Sequence, residues 1–371
     1  MPKPVLLVAQ ALKQGGSERQ LAETAKALDR RYFTPHVAVF RPDGIRYDEL
    51  LRAGIPVTVF PFESFGSPQV MASAWRFHRY LRRHRIQLVH SFDVPANVFV
   101  VPIARLSGTP VVLSSQRAFR DLTPPRLRPL LRFTDRLVDA VVVNCHALEQ
   151  HLIEDEKLRP SLIRVCHNGI DTELFYPKSV SRPPVLEGAS LVIGIVSALR
   201  EEKDLPVLIR AFALARAHRP EVKLVFVGSG TLLAVLEQLR GELQLGDSCV
   251  FVPATAEVAD WMRSIDIFVL PSRSEALSNS LMEAMACRCS VIASRVGGNP
   301  ELVSDGECGL LFESGDVEGL ARQLQRLITD DPGRRRMAEA ASRLIPSRFS
   351  LATATSRMAG IYDEFLTGKS K

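Results

Sequence analysis

The chain has no run of apolar residues approaching the roughly 18 that a membrane-spanning helix needs, so nothing in it reads as a span. Its opening apolar stretch, Val5-Leu6-Leu7-Val8, is too short for a signal-peptide core and has no cleavage pattern behind it. It reads instead as a first buried strand. A disulfide framework is missing too: the six cysteines stand scattered at 145, 166, 249, 287, 289 and 308. Cys287 and Cys289 have a C-x-C spacing, but no second pair or histidine cluster supports a metal, and they read as core thiols. These absences point to a reducing, cytoplasmic setting. Internal repeats and low-complexity segments are absent as well.

What is present is an ordinary globular composition, 46% hydrophobic and 24% charged over 371 residues, enough for two domains. The net charge of +6 is uneven: residues 1–180 carry 25 Lys/Arg against 17 Asp/Glu, and residues 181–371 carry 22 against 24. A basic first half attracts something anionic, such as a phospholipid surface or a lipid-phosphate acceptor. Nucleic acid is a poorer expectation, because no binding module accompanies the charge. The stretch Trp75–Arg85 mixes aromatics with five arginines, a composition suited to lying on an anionic membrane. A second basic stretch runs from Arg117 through Arg120, Arg126, Arg128 and Arg132 to Arg136.

Strand and helix patterns alternate from end to end, which predicts α/β domains with parallel sheets. Strands are expected at Val5–Ala9, Val37–Phe40, Val57–Phe60, Leu88–His90, Val111–Ser114, Val141–Asn144 and Ile163–Cys166. Ser17 and Gln20 have capping-box spacing for a helix over Glu18–Leu28. A Pro/Ser/Gly-containing stretch at 179–189 reads as a linker between domains at 1–178 and 190–345. The alternation restarts with strands at Leu191–Val196, Lys223–Val227, Val250–Val252, Ile267–Leu270 and Ser290–Ala293. A last helix within 346–371 could pack back on the first domain. Two doubly wound domains imply a cleft at the C-terminal ends of their strands.

Chemistry concentrates after two strands of the second half. Arg200 and Lys203 follow Leu191–Val196, at the strand end where open α/β sheets bind ligands. Strand Ile267–Leu270 leads through Glu275 to Ser278-Asn279-Ser280, where Ser278 or Asn279 can cap a helix over Leu281–Cys287. Such a helix start suits a phosphate. Glu283 sits among Leu281, Met282, Ala284, Met285 and Ala286, where an unpaired carboxylate is expensive and a ribose diol would be a partner.

The run Glu275 to Glu283-Ala284-Met285-Ala286-Cys287, with Gly297-Gly298-Asn299-Pro300-Glu301 beyond it, resembles the E-x7-E signature of retaining glycosyltransferases of family 4. Gly15-Gly16-Ser17-Glu18, Asn168-Gly169-Ile170-Asp171 and Val227-Gly228-Ser229-Gly230 follow the family's order along nearly the whole chain. The resemblance implies a GT-B fold, two Rossmann-like domains facing across a cleft. It also implies a retaining transfer of a hexose-type sugar from a nucleotide-sugar donor to a saccharide or lipid-linked acceptor, with no metal or other cofactor. By the same resemblance Lys203 is the donor-phosphate lysine, Glu275 lies near the transferred sugar and Glu283 grips the ribose. Gly15 and Gly16 form a loop that closes over the donor, and their plain structural reason would be a turn with φ > 0.

The chain departs from the pattern at three places. Ala198 stands where the family usually has Arg, with Arg200 as the substitute; Arg288 stands where Gly is common; and Gln116 stands where a histidine near the sugar is usual. Gln116 can hydrogen-bond a hydroxyl but cannot act as a base, and His90 is the remaining strand-end histidine of the first half. Rival functions are a nucleotide-sugar epimerase or hydrolase of the same fold, and a non-catalytic partner subunit.

Overall fold

The computed structural model describes residues 2–13, 15–62, 65–216, 219 and 221–368. It divides into two compact units, Met1–Gly169 with Leu351–Lys371, and Ile170–Ser350. The boundary at Gly169 falls before the expected linker, so 179–189 belongs to the second unit.

The first unit holds seven parallel strands: β1 (Lys3–Ala9), β2 (Phe33–Val39), β3 (Val57–Val59), β4 (Leu88–Ser91), β5 (Val111–Gln116), β6 (Ala140–Val143) and β7 (Ile163–Val165). Their order is β3-β2-β1-β4-β5-β6-β7, with β1 paired to both β2 and β4. Runs such as Val5–Ala9 and Val111–Leu113 are wholly buried because helices cover both faces of a parallel sheet. The helix Leu351–Gly368 completes this unit, placing Met358, Ile361, Tyr362 and Leu366 in the same core as Val5, Leu7 and Leu113. The chain's final three residues lie outside those described.

The second unit holds β8 (Leu191–Val196), β9 (Val222–Val227), β10 (Cys249–Val252), β11 (Ile267–Leu270), β12 (Ser290–Ser294) and β13 (Leu310–Phe312). Their order, β10-β9-β8-β11-β12-β13, reverses direction between β8 and β11. That reversal opens a crevice at the C-terminal ends of those two strands. The six cysteines are all buried and none is in a disulfide, and Cys289 Sγ donates to the carbonyl of Met262 at 3.1 Å.

Two local expectations are corrected. The helix expected from Glu18 begins at Gly16, with Gly15 as N-cap, and Ser17 with Gln20 does not form its capping box. Gln20 instead turns inward, donating to the Gly169 carbonyl at 2.9 Å and accepting from the Gly169 N–H at 3.0 Å. Gly15 has φ of −68°, so a positive φ is not what requires glycine there. A Cβ at Gly15 would meet only the movable end of the Glu18 side chain, so close packing does not require glycine there either.

Candidate active site

In the second unit the two loops at the β8/β11 crevice are fastened to each other. After β8 the chain makes a 3-10 turn over Glu201–Lys203, and Asp204 takes a left-handed conformation (φ 47°) before the helix Leu205–Ala215. That reversal sends Lys203 toward the loop after β11, where its Nζ lies 2.5 Å from Glu275 Oε2. Ser272 Oγ donates to the same carboxylate oxygen at 3.1 Å. Arg273 adds an ion pair, its Nη2 donating to Asp204 Oδ1 at 2.9 Å and its Nε lying 2.9 Å from Oδ2, and its backbone N–H donates to the Glu202 carbonyl at 2.8 Å. Lys203 and Glu275, singled out from the sequence, are therefore in direct contact. Arg273 and Asp204 were not singled out. They stand 69 residues apart, and no sequence spacing announces the pair.

Behind these loops the backbone is tightly seated. A Cβ on Gly228 would lie 1.9 Å from the Ser197 carbonyl oxygen, and the φ of 150° there is one that only glycine adopts readily. Ser294 Oγ donates to the Ser272 carbonyl at 2.6 Å, and the Gly298 N–H donates to that of Ala276 at 2.7 Å. The loop carrying Glu275 is thus held by the next strand and the loop after it.

The helix Asn279–Ala286 starts where that loop ends. Ser278 is its N-cap, accepting from the Leu281 N–H at 3.3 Å, and it also contacts Ser280 Oγ at 3.2 Å. The first-turn N–H groups of such a helix have no intrahelical acceptor, and the helix dipole makes that end positive. Asn279 and Ser280 occupy this first turn and are half-buried, whereas Glu283 is 3% exposed within the helix. Arg200 does not join the cluster: it is exposed, and its guanidinium lies 3.8 Å from Glu202.

The candidate residues of the first unit occupy different settings. His90 is fully buried, its Nδ1 2.8 Å from Tyr362 Oη and its Nε2 2.8 Å from Ser115 Oγ. Burial, with the Arg117 cation nearby, pushes its pKa well down, so the ring is neutral and both nitrogens are engaged. That arrangement ties the last helix to the sheet rather than presenting the ring to a ligand. Gln116 is buried at the end of β5, its Nε2 donating to the Ala118 carbonyl at 2.6 Å.

Asp93, at the end of β4, was not singled out. It caps the helix Val94–Leu106 by accepting from the Ala96 N–H at 2.8 Å, and it accepts from the Gln10 N–H at 2.6 Å. It lines a cavity of about 200 Å³ with Gln10, Lys13, Ser17, Glu18 and Arg41, beside the β1/β4 reversal of this sheet.

Two Rossmann-like units in one chain, each with its strand order reversing at a crevice, are the architecture of the GT-B fold. Comparison with known proteins gives the narrower assignment. The model for "Glycosyltransferase Family 4" matches residues 14–174, and that for "Glycosyl transferases group 1" matches residues 180–344. The chain belongs to this glycosyltransferase family.

Among curated relatives, N-acetyl-alpha-D-glucosaminyl L-malate synthase of Bacillus anthracis is 27% identical over 84% of this chain and 83% of its own. A D-inositol 3-phosphate glycosyltransferase of Stackebrandtia nassauensis is 33% identical over 55% of this chain, which spans only 49% of that relative. Among solved structures, Anabaena Alr3699/HepE in complex with UDP-glucose superposes with a TM-score of 0.84 at 24% identity. That match covers 97% of this chain and 99% of HepE, and it speaks to the fold alone.

Proposed function

We propose that the protein is a retaining hexosyltransferase that takes its sugar from a nucleotide-sugar donor. The acceptor is a saccharide or lipid-linked molecule, in the assembly of surface polysaccharide or glycolipid. The observation that carries this reading is the Lys203–Glu275 contact, held between the β8 and β11 loops beside the capped start of the helix Asn279–Ala286. As the glycosidic bond breaks, negative charge grows on the departing diphosphate. Fixed donors aimed at that charge stabilise the transition state.

Lys203 supplies a cation and the helix start supplies N–H groups, so the leaving group is neutralised without a metal. A diphosphate arriving at Lys203 competes with Glu275 for the ammonium and releases the carboxylate to accept hydrogen bonds from sugar hydroxyls. Buried Glu283, one turn into the helix, is suited to the ribose diol. Attack by the acceptor hydroxyl on the face the diphosphate leaves gives retention, assisted by the departing phosphate oxygen.

The decisive test starts from a panel of nucleotide-sugars led by UDP-glucose, the donor present in the HepE structure. Each is screened by thermal shift and then with acceptors, and the first-formed product is examined by proton NMR. Retained anomeric configuration is expected; inversion rejects the mechanism. Lys203→Ala should lower kcat/KM by about 100-fold, the scale of losing one transition-state donor. Activity should persist in EDTA.

We further propose peripheral attachment to anionic membrane through the helix Gln69–Arg83. It exposes Met71 and Trp75 beside Arg76 and Arg79, the latter stacked 4.6 Å over the Trp75 ring. The second basic stretch contributes less than its composition promises. Arg120 is 1% exposed, paired to Asp135 at 2.7 Å, and Arg132 is paired to Glu156 at 2.9 Å.

A further inference from the structure

Arginines drawn into the first unit are matched by carboxylates. Arg120 meets Asp135 at 2.7 Å and Glu156 at 3.3 Å, Arg105 meets Asp139 at 2.7 Å, and Arg46 meets Glu49 at 3.0 Å. Taking a guanidinium out of water costs several kcal/mol in general, and a facing carboxylate offsets it. Arg117 breaks this pattern. It is half-buried at the end of β5, next to Gln116, yet no carboxylate lies within ion-pair distance of it among the described residues.

Its surroundings hold it still without neutralising it. Nη1 donates to Asn168 Oδ1 at 2.8 Å, and the guanidinium lies over the Phe92 ring at 4.9 Å. Nε is buried with no acceptor. Asn168 is itself fixed, because the next residue, Gly169, is clasped by Gln20 through two hydrogen bonds. The titratable groups around Arg117 supply no negative charge near neutral pH. Burial pushes the Cys166 thiol up to about 11 and the Tyr362 hydroxyl higher still, while it drives His90 toward the neutral ring. The same burial lowers Arg117 itself to about 10, which still leaves it a cation.

We propose that Arg117 is the anchor for an oxyanion, a carboxylate or a phosphate, carried by the acceptor. The position agrees with this, since open parallel sheets bind ligands at the C-terminal ends of their strands. A planar, stacked guanidinium is also the side chain best shaped for a carboxylate or phosphate. This rests on the transferase reading above and adds the chemical class of the acceptor: it bears a negative group. Gln116, one residue earlier, then lies beside the anchored molecule.

The test uses the full-length chain with inorganic phosphate and succinate as probes, titrated by thermal shift in an anion-poor buffer. Wild type, Arg117→Met, Asn168→Asp and Lys203→Ala are compared. Saturable stabilisation by phosphate, succinate or both is expected in wild type and in Lys203→Ala, which separates this site from the donor phosphates. In Arg117→Met the apparent affinity should fall about tenfold or more, the size of one charge-assisted contact. Asn168→Asp places a carboxylate against the guanidinium, and it should raise the melting temperature while abolishing the anion response. Without added anion, Arg117→Met should melt no lower than wild type, because it removes an unbalanced charge.

Equal anion affinity in wild type and Arg117→Met overturns the proposal. So does the lack of any response in wild type, or a response lost only in Lys203→Ala. Failure of every nucleotide-sugar to bind wild type would instead reject the donor reading, whatever the anion titrations give.

Discussion

Burial away from water lifts the Asp93 carboxyl to about 6, outweighing the two backbone N–H groups it accepts from, and nearby Glu18 adds to the rise. An acid raised in the folded state binds its proton more tightly there than in the unfolded chain. Stability from this group is therefore full below about 4, declines as pH climbs to about 6, and is level above that. A carboxyl-carbon NMR titration of Asp93 should show its midpoint near 6. A midpoint in the ordinary carboxylate range would mean the two N–H groups prevail over desolvation. Tyr362→Phe makes a second residue-scale prediction. It strips His90 Nδ1 of its partner inside the core, which should cost about 1–3 kcal/mol in chemical denaturation. The roles of Lys203, Glu275 and Glu283 come from the family resemblance, but the two loop positions that the structure brings into contact, Lys203 and Glu275, were picked out in the sequence. Asp93 and Arg117 were not, because what distinguishes them is the set of neighbours other strands bring, or fail to bring, to their side.

At the scale of elements, the helices Gln69–Arg83, Leu233–Glu242 and Asn279–Ala286 are closed by left-handed residues that are not glycine, Arg85, Gln244 and Arg288. In each, the following N–H reaches back over the helix end, as Cys289 does to the Ala284 carbonyl at 2.9 Å. This closing turn favours glycine, and a residue with a Cβ strains it. Arg288 partly offsets that cost by pairing with Glu339 at 2.8 Å, but the pair is exposed and contributes little. Arg288→Gly should therefore raise stability by about 0.5–1 kcal/mol, while Glu339→Ala should leave it nearly unchanged. A loss on Arg288→Gly would place the ion pair above the backbone strain. Most strands were legible, since buried parallel strands write themselves as short apolar runs such as Leu191–Val196 and Ile267–Leu270. The strand Leu310–Phe312 was missed: three residues carry no period, and only pairing with Ser290–Ser294 makes them a strand.

For the molecule as a whole, charge is the property most exposed to experiment. At low salt, vesicles rich in anionic lipid should carry the protein upward on flotation, and Met71→Ser with Trp75→Ser should leave it at the bottom. Flotation of the double variant at wild-type level would exclude the helix Gln69–Arg83 as the contact. The α/β class and the two-unit plan followed from the alternation of patterns alone. The boundary did not, because the proline-rich stretch at 179–189 looks like a linker but belongs to the second unit. Composition can mark where a chain is irregular, whereas only packing tells which body owns the irregular segment.

The return of the helix Leu351–Gly368 to the first unit has a consequence for biosynthesis. Everything the second unit needs lies between Ile170 and Ser350, in one uninterrupted stretch. The first unit, although its sheet is translated before the second unit, lacks Met358, Ile361, Tyr362 and Leu366 until the second unit has been made. Order of synthesis and order of maturation are thus reversed. The later-made body can mature while the earlier one waits with an open face, and the emergence of the helix Leu351–Gly368 becomes the event that seals it.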